Sequence, residues 1–203
     1  MDLRWVVVVP VKVLGRAKTR LGLAPAARAD LALEMARATV AAAAACPLVA
    51  EVVVVTDDPR AAAALRGARV HVVADEPDAG LNPALGHGAA VAAGRHPGAG
   101  VAALSADLPA LRPDELARAL AAGAAHPRAV VADAAGTGTV LLTARPGLPL
   151  DPAYGGASRT RHAARGAVDL TDDLRDAVPG LRRDVDTPDD LAAARRLLSG
   201  APR

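Results

Sequence analysis

Lys12, Arg16, Lys18 and Arg20 crowd one short stretch around Gly15, just after the apolar run VVVV at 6–9. Ammonium and guanidinium groups so spaced make charge-assisted bonds to phosphate oxygens, and a loop at the edge of a sheet leading into a helix would suit a triphosphate. A solvated basic loop reads the same way on spacing alone, and the stretch is not a Walker A loop. Asp107 ends a second apolar run, GVAALSADLPAL, shortly before Pro109. A carboxylate free of the strand ladder can hold a hard cation; an Asx-type turn before the proline is the plain alternative. Asp184 and Asp186 flank Val185 in LRRDVDTPDDL. On a short strand they share one face, where like charges are unfavourable unless a cation lies between them. The helix that follows does not need them. Thr187 suits its N-cap, Pro188 its first position, and Asp189 and Asp190 its acidic first turn. Three carboxylates from distant parts of the chain are therefore expected to form a Mg²⁺ site.

The fourth stretch is AGTGTVLL, with DPAYGGASRTRHAARG behind it. Thr137 and Thr139 lie two apart and are expected to face the same way, while Gly136 and Gly138 let a ligand approach the backbone. Gly155 and Gly156 lead to Ser158, read as the N-cap of a helix whose first turns carry Arg159, Arg161 and His162. The pattern suits a small phosphorylated carboxylate; a Gly-rich turn with an ordinary helix cap accounts for it too. Other chemistries lack their groups: no Ser/His/Asp order, HExxH or CxxC occurs, which leaves acyl transfer, zinc hydrolysis and thiol redox unsupported. His71, His87, His96 and His126 are scattered, none with a partner at ligand spacing. Cys46 is the single cysteine, so neither an intrachain disulfide nor a structural zinc site is expected.

A frame must bring these residues together. The chain alternates short Val-rich runs with Ala/Leu/Arg segments, the form that strand and crossover helix take in one open sheet. Strands are expected near 5–9, 51–55, 69–74, 100–105, 128–133 and 138–144, with a short one near 181–185. Helices fit near 26–45, 59–66, 84–95, 113–124, 158–165 and 188–198. The runs at 6–9 and 52–55 are apolar on both faces, as strands covered by helices on both sides must be. The 128–133 and 138–144 runs lie within hairpin distance, so at least one strand should run antiparallel. The expected fold class is α/β, a three-layer sandwich with a mixed, mostly parallel sheet, with residues 1–203 as a single domain. In such sheets ligands bind beyond the carboxyl ends of the strands, where the four stretches fall.

Composition narrows the classes further. Hydrophobic residues make up 52 % of the chain but aromatics only 1 %, with no Phe, so Val, Leu and Ala must build the core. A balance of 24 basic against 22 acidic side chains lacks the concentrated basic face of a nucleic-acid binder. The first apolar run stops at Pro10, too short for a signal sequence, and no run is long enough to span a bilayer. A soluble, cytoplasmic protein is expected, with neither nucleic acid nor membrane as partner.

Taken in order, V-K-x-L-x-x-A-K-T-R-L (11–21), Leu81-Asn82 after an Asp/Pro-rich turn, A-D-L-P-A-L (106–111), G-T-G-T (136–139), Y-G-x-x-S-x-x-R-H (154–162) and D-V-D-T-P-x-D-L (184–191) resemble the CofC/FbiD family over nearly the whole chain. That family comprises guanylyltransferases for 2-phospho-L-lactate or phosphoenolpyruvate, which supply the side-chain precursor of a deazaflavin coenzyme. Its fold is the nucleotide-diphospho-sugar transferase, GT-A-like type. The resemblance implies that Thr139, Gly155 and Ser158 bind the phosphorylated acid and that Asp107, Asp184 and Asp186 hold Mg²⁺. Lys12, Lys18 and Arg20 would meet the phosphates of GTP, with Asn82 near the base and Asp107, Lys18 and Arg20 as the catalytic set. Tyr154 stands where the family carries Phe, and Gly156-Ala157 replaces a Pro-containing pair. The implied partners are GTP and a small phosphorylated carboxylic acid; a homodimer is allowed, and the product would pass to a downstream transferase. The implied reaction is in-line attack by the acceptor phosphate on the α-phosphorus of GTP, expelling pyrophosphate. A phosphate monoester with a second pKa of about 6 is already mostly dianionic at neutral pH, so no side-chain base is required. Rival readings keep the fold with a sugar phosphate or molybdopterin as acceptor, or make the protein a nucleotide-binding regulator without turnover.

Overall fold

β1 (Trp5–Pro10) is buried at every position but its last. Trp5, Val7 and Val9 enter one apolar cluster and Val6 and Val8 another, so this all-apolar run is a central strand with a core on each face. The computed structural model describes residues 3–76 and 78–200; Pro77, which belongs to the Asp/Pro-rich turn, and the Arg16 side chain lie outside the described positions. β2 (Val49–Val55) and β3 (Val70–Val73) extend the sheet on one side of β1, and β4 (Gly100–Leu104) lies on the other. These four strands are mutually parallel. β5 (Arg128–Val131) and β6 (Leu141–Ala144) form the expected hairpin, and β6 runs antiparallel to both β4 and β5. β7 (Val168–Asp169) pairs parallel to β5 and completes the order β3-β2-β1-β4-β6-β5-β7. The sheet is mixed and mostly parallel, with helices on both faces.

Three details depart from expectation, the first being β7, which no expected strand covers. The strand expected at 138–144 begins only at Leu141, and no strand forms at 181–185. Leu181 and Val185 are fully buried, which gives the segment its strand-like alternation. Its backbone is nonetheless fixed by a side chain, since Leu181 N donates to Glu115 Oε2 at 2.8 Å.

The helices are α1 (Pro25–Ala45), α2 (Pro59–Leu65), α3 (Leu81–Arg95), α4 (Pro113–Gly123), α5 (Ser158–Ala164) and α6 (Pro188–Ser199). Apolar residues of α1, α2 and α4 pack with Trp5, Val7 and Val9 on one face, and those of α3 with Val6 and Val8 on the other. α6 joins α1 through a smaller cluster of Leu21, Met35, Ala110, Val185 and Ala194. Gly88 lets α3 approach the sheet closely, because a Cβ there would lie 2.5 Å from Val8 Cγ1 and 2.7 Å from Val55 Cγ2. Among the described residues no helix is long and apolar enough to cross a membrane. With β2 on one side of β1 and β4 on the other, chain connections diverge at the β1/β4 seam, the usual place for a ligand crevice.

Candidate active site

A cleft of about 420 Å³ opens beyond the carboxyl ends of β1 and β4, a size suited to a small molecule. Lys12, Lys18 and Arg20 line it from the loop after β1, Ser105 and Asp107 from the end of β4, and Tyr154 and Asp186 from further along the chain. Asp58 shapes the basic loop. One of its oxygens caps α2 by accepting from Arg60 N and Ala61 N, and the other accepts from Leu14 N at 2.9 Å. Burial works to raise the Asp58 pKa, but these three backbone donors outweigh it and hold the carboxyl below its ordinary value.

Lys18 adopts left-handed backbone geometry, with φ at 56°, which turns its side chain inward. Its ammonium donates to Asp107 and, at 2.9 Å, to Asp186. Burial alone would lower the Lys18 pKa; the two carboxylates prevail and keep it raised. Arg20 stays largely exposed, 3.8 Å from Asp186, and Lys12 is exposed at the rim. Asp107 is set by Thr39, a buried residue of α1 whose hydroxyl accepts from Leu108 N at 3.0 Å and lies 3.1 Å from Ala106 O. The pair at 184 and 186 is set from both ends. Glu115 anchors Leu181, and Asp190 Oδ2 accepts from Asp186 N and Thr187 N within the capping box of α6.

Asp107, Asp184 and Asp186 therefore come together from two distant segments of the chain. The Asp184 carboxyl is pushed up to about 7, first by burial and then by the charges of Asp107, Asp133 and Asp186. Among the described residues no three acidic, His or Cys groups are arranged to hold a metal ion as they stand. The Lys18 ammonium instead lies between Asp107 and Asp186 and supplies positive charge there.

The Thr139 and Ser158 side chains also meet, but not as the sequence leads one to expect. Thr137 is exposed whereas Thr139 is buried, because the pair precedes β6 and the two-residue period of a strand does not apply. Ser158 is not the N-cap of α5. That position falls to Ala157, in left-handed geometry with no side-chain cap, and the Ser158 hydroxyl instead donates to Thr139 Oγ1 at 3.0 Å. The amides at this end of α5 are not all free, since Arg159 N donates to Thr137 O. Gly155 is exposed next to Arg161, whose Nη2 lies 2.8 Å from where a Cβ would sit. Asn82 spends both ends of its amide on Tyr154, donating to its O at 3.1 Å and accepting from its N at 2.7 Å. It thereby ties the Tyr154 segment to α3. Asp58, Thr39 and Glu115 are additions to the residues singled out from sequence. Only Asp58 carries a local signature, as a helix cap ahead of Pro59.

A model of the MobA-like NTP transferase domain matches residues 22–174. The chain belongs to that family. Among its curated relatives, this NTP transferase is 58 % identical over 200 residues to the phosphoenolpyruvate guanylyltransferase of Thermomonospora curvata, a match covering 98 % of this chain and 86 % of the relative. A nucleotidyl transferase from Methanothermobacter superposes with a TM-score of 0.62 at 20 % identity, covering 98 % of this chain and all of the other. Rv0371c of Mycobacterium tuberculosis H37Rv, solved with manganese, gives a TM-score of 0.55 at 24 % identity with the same coverage. The two structural likenesses establish the fold of this NTP transferase, and the curated relative agrees with the resemblance drawn from its motifs.

Proposed function

We propose that this nucleotidyltransferase moves GMP from GTP onto the phosphate of phosphoenolpyruvate and expels pyrophosphate. The observation that carries the reading is the 58 % identity, across 98 % of this chain and 86 % of the relative, to a protein named for that reaction. The cleft suits the chemistry. Lys12 and Arg20 are exposed at its rim, where a triphosphate could meet them, and Ser105 and Tyr154 line it, with the buried Thr139–Ser158 pair behind Ser105.

Asp107, Asp184 and Asp186 would hold a divalent cation, Mg²⁺ in this reading. They fit it by chemistry: all donors are carboxylate oxygens, as hard cations prefer, and the Asp107 and Asp186 charges add to burial in raising the Asp184 pKa, an effect a cation would offset. When bound, such an ion neutralises phosphate oxygens and so eases the approach of two polyanions. The rest falls to the chain. Lys12, Lys18 and Arg20 bind and orient the triphosphate, and the fixed loops after β1 and β4 hold the reactants in line. A phosphate oxygen of the acid then bonds to the α-phosphorus as the bond to the leaving pyrophosphate breaks. The product is a guanosine diphosphate ester of enolpyruvate, a substrate for a downstream transferase in deazaflavin coenzyme assembly.

The test is a matrix of GTP, ATP, CTP and UTP against phosphoenolpyruvate, 2-phospho-L-lactate and 3-phosphoglycerate with Mg²⁺, read by the mass of the diphosphate product. GTP with phosphoenolpyruvate should give the highest kcat/KM. Preference for another nucleotide, or no product from any acid, overturns the assignment.

A further inference from the structure

His162, on α5, is 1 % exposed and touches Ala153, Thr139 and Tyr154, of which Tyr154 lines the cleft. Ala153 N donates to its Nε2 at 2.8 Å. The ring hydrogen is therefore on Nδ1, which stands 3.0 Å from Thr139 Oγ1 and donates to it. Ser158 Oγ lies 3.0 Å from the same oxygen. The imidazole and the two hydroxyls thus carry three hydrogens between them. One passes from the ring to Thr139, one bridges the hydroxyls, and the third has no acceptor among the described residues. Had the ring the opposite tautomer, Nδ1 would absorb a hydroxyl hydrogen and nothing would be left to give. Proximity links the group to the cleft. Ser105, which lines it, donates to Thr139 O at 3.4 Å, and Tyr154, which also lines it, packs edge-on to the His162 ring with centroids 5.0 Å apart.

We infer that His162 is a positioning residue that commits the Thr139–Ser158 hydroxyl pair to donating one hydrogen to an anionic oxygen of the acid substrate. The inference rests on the proposed function, since it concerns the acid side of that site. His162 touches no reacting atom. It sets the direction of a hydrogen-bond chain and so makes the pair selective for an acceptor group such as a carboxylate or phosphate oxygen.

Two substitutions separate this role from a merely structural one. His162→Asn places an amide nitrogen where Nδ1 stands, keeping the hydrogen to Thr139 and dropping the tie to Ala153. His162→Gln reaches the Nε2 position, keeping the tie and withdrawing the hydrogen. Steady-state kinetics with phosphoenolpyruvate varied at saturating GTP, and the reverse, should show His162→Gln raising the KM for the acid roughly tenfold with the KM for GTP unchanged. His162→Asn should keep the acid KM within about twofold of wild type, as expected where the hydrogen bond persists. Thr139→Val should raise the acid KM as His162→Gln does, and adding His162→Gln to it should cost nothing more. Should His162→Gln fail to fold, as judged by thermal unfolding, the Thr139→Val and His162→Asn results decide. Equal losses in the Asn and Gln variants, or acid and GTP KM values rising together, overturn the inference and leave His162 a strut for the Ala153 segment. Wild-type turnover of GTP with phosphoenolpyruvate keeps the proposed function standing whichever way the variants fall. Wild-type protein without turnover sinks that function and this inference with it.

Discussion

Asp107 gains its usefulness from being held, with Thr39 fixing the peptides on either side and Lys18 facing its carboxylate. Asp107→Ala should lower kcat/KM for GMP transfer by more than about 100-fold, beyond the usual loss from an outer-shell partner. Comparing that variant with wild type under saturating Mg²⁺ decides the matter, and near-normal turnover would remove Asp107 from the mechanism. His162 governs a different observable. Burial first, then the charges of Arg161 and Arg165, lower its pKa to about 4 from 6.5. Between those values the unfolded chain takes up a proton that the folded one refuses, so its contribution is whole above about pH 6.5 and is lost as pH falls through 4. The loss is on the order of 3 kcal/mol at most. Urea unfolding at pH 7 and pH 4.5 should show a smaller pH effect in His162→Asn than in wild type; equal effects would contradict the assignment. Asp184 and Asp186 stand out in the sequence because like charges two apart need a reason, although the strand expected to align them does not form. Thr39 and Glu115 do not stand out, because they act on backbone amides that only the folded chain brings within reach.

The loop that presents Asp184 and Asp186 behaves as an element without being a strand. Its entry at Gly180 is wedged against α4 and the end of the β4–α4 connection, where a Cβ would lie 2.1 Å from Ala110 O and 2.8 Å from Glu115 Oε2. The backbone carbonyl cannot step aside, so Gly180→Ala should destabilise by about 1–3 kcal/mol and lower turnover through displacement of the carboxylates. Urea midpoints with activity at equal folded fraction test both, and an unaffected midpoint would refute the close contact. A milder effect is expected on α1, where Thr39→Val leaves the buried Leu108 N unpaired at a cost of about 1–3 kcal/mol; unfolding midpoints measure it. Most elements could be read in advance, since six helices begin or end at Pro, Gly or acidic signals and the Val runs have no polar face. The misreadings have opposite causes. Buried Leu181 and Val185 mimic strand alternation, while Val168–Asp169, with two residues in the ladder, is too short to show any period.

At the scale of the whole molecule, the sheet is a plane with two cores of unlike depth. A largely aliphatic interior with few rings relies on close approach of helix to strand, and Gly88 is a point where α3 comes close. Gly88→Ala should cost about 1–3 kcal/mol by pushing α3 off Val8 and Val55, a loss visible as a lower thermal midpoint with the KM for GTP little changed. The sheet also separates two tasks by direction. Because β6 runs against its neighbours, its leading end, not its trailing end, arrives at the working edge, and it brings Thr139 with it. The basic loop reaches that edge on the β1 side of β4, and the hydroxyl pair on the β6 side. If the proposed roles hold, remodelling one hairpin would retune which acid is admitted while the grip on the triphosphate, carried on the opposite flank, stays as it was.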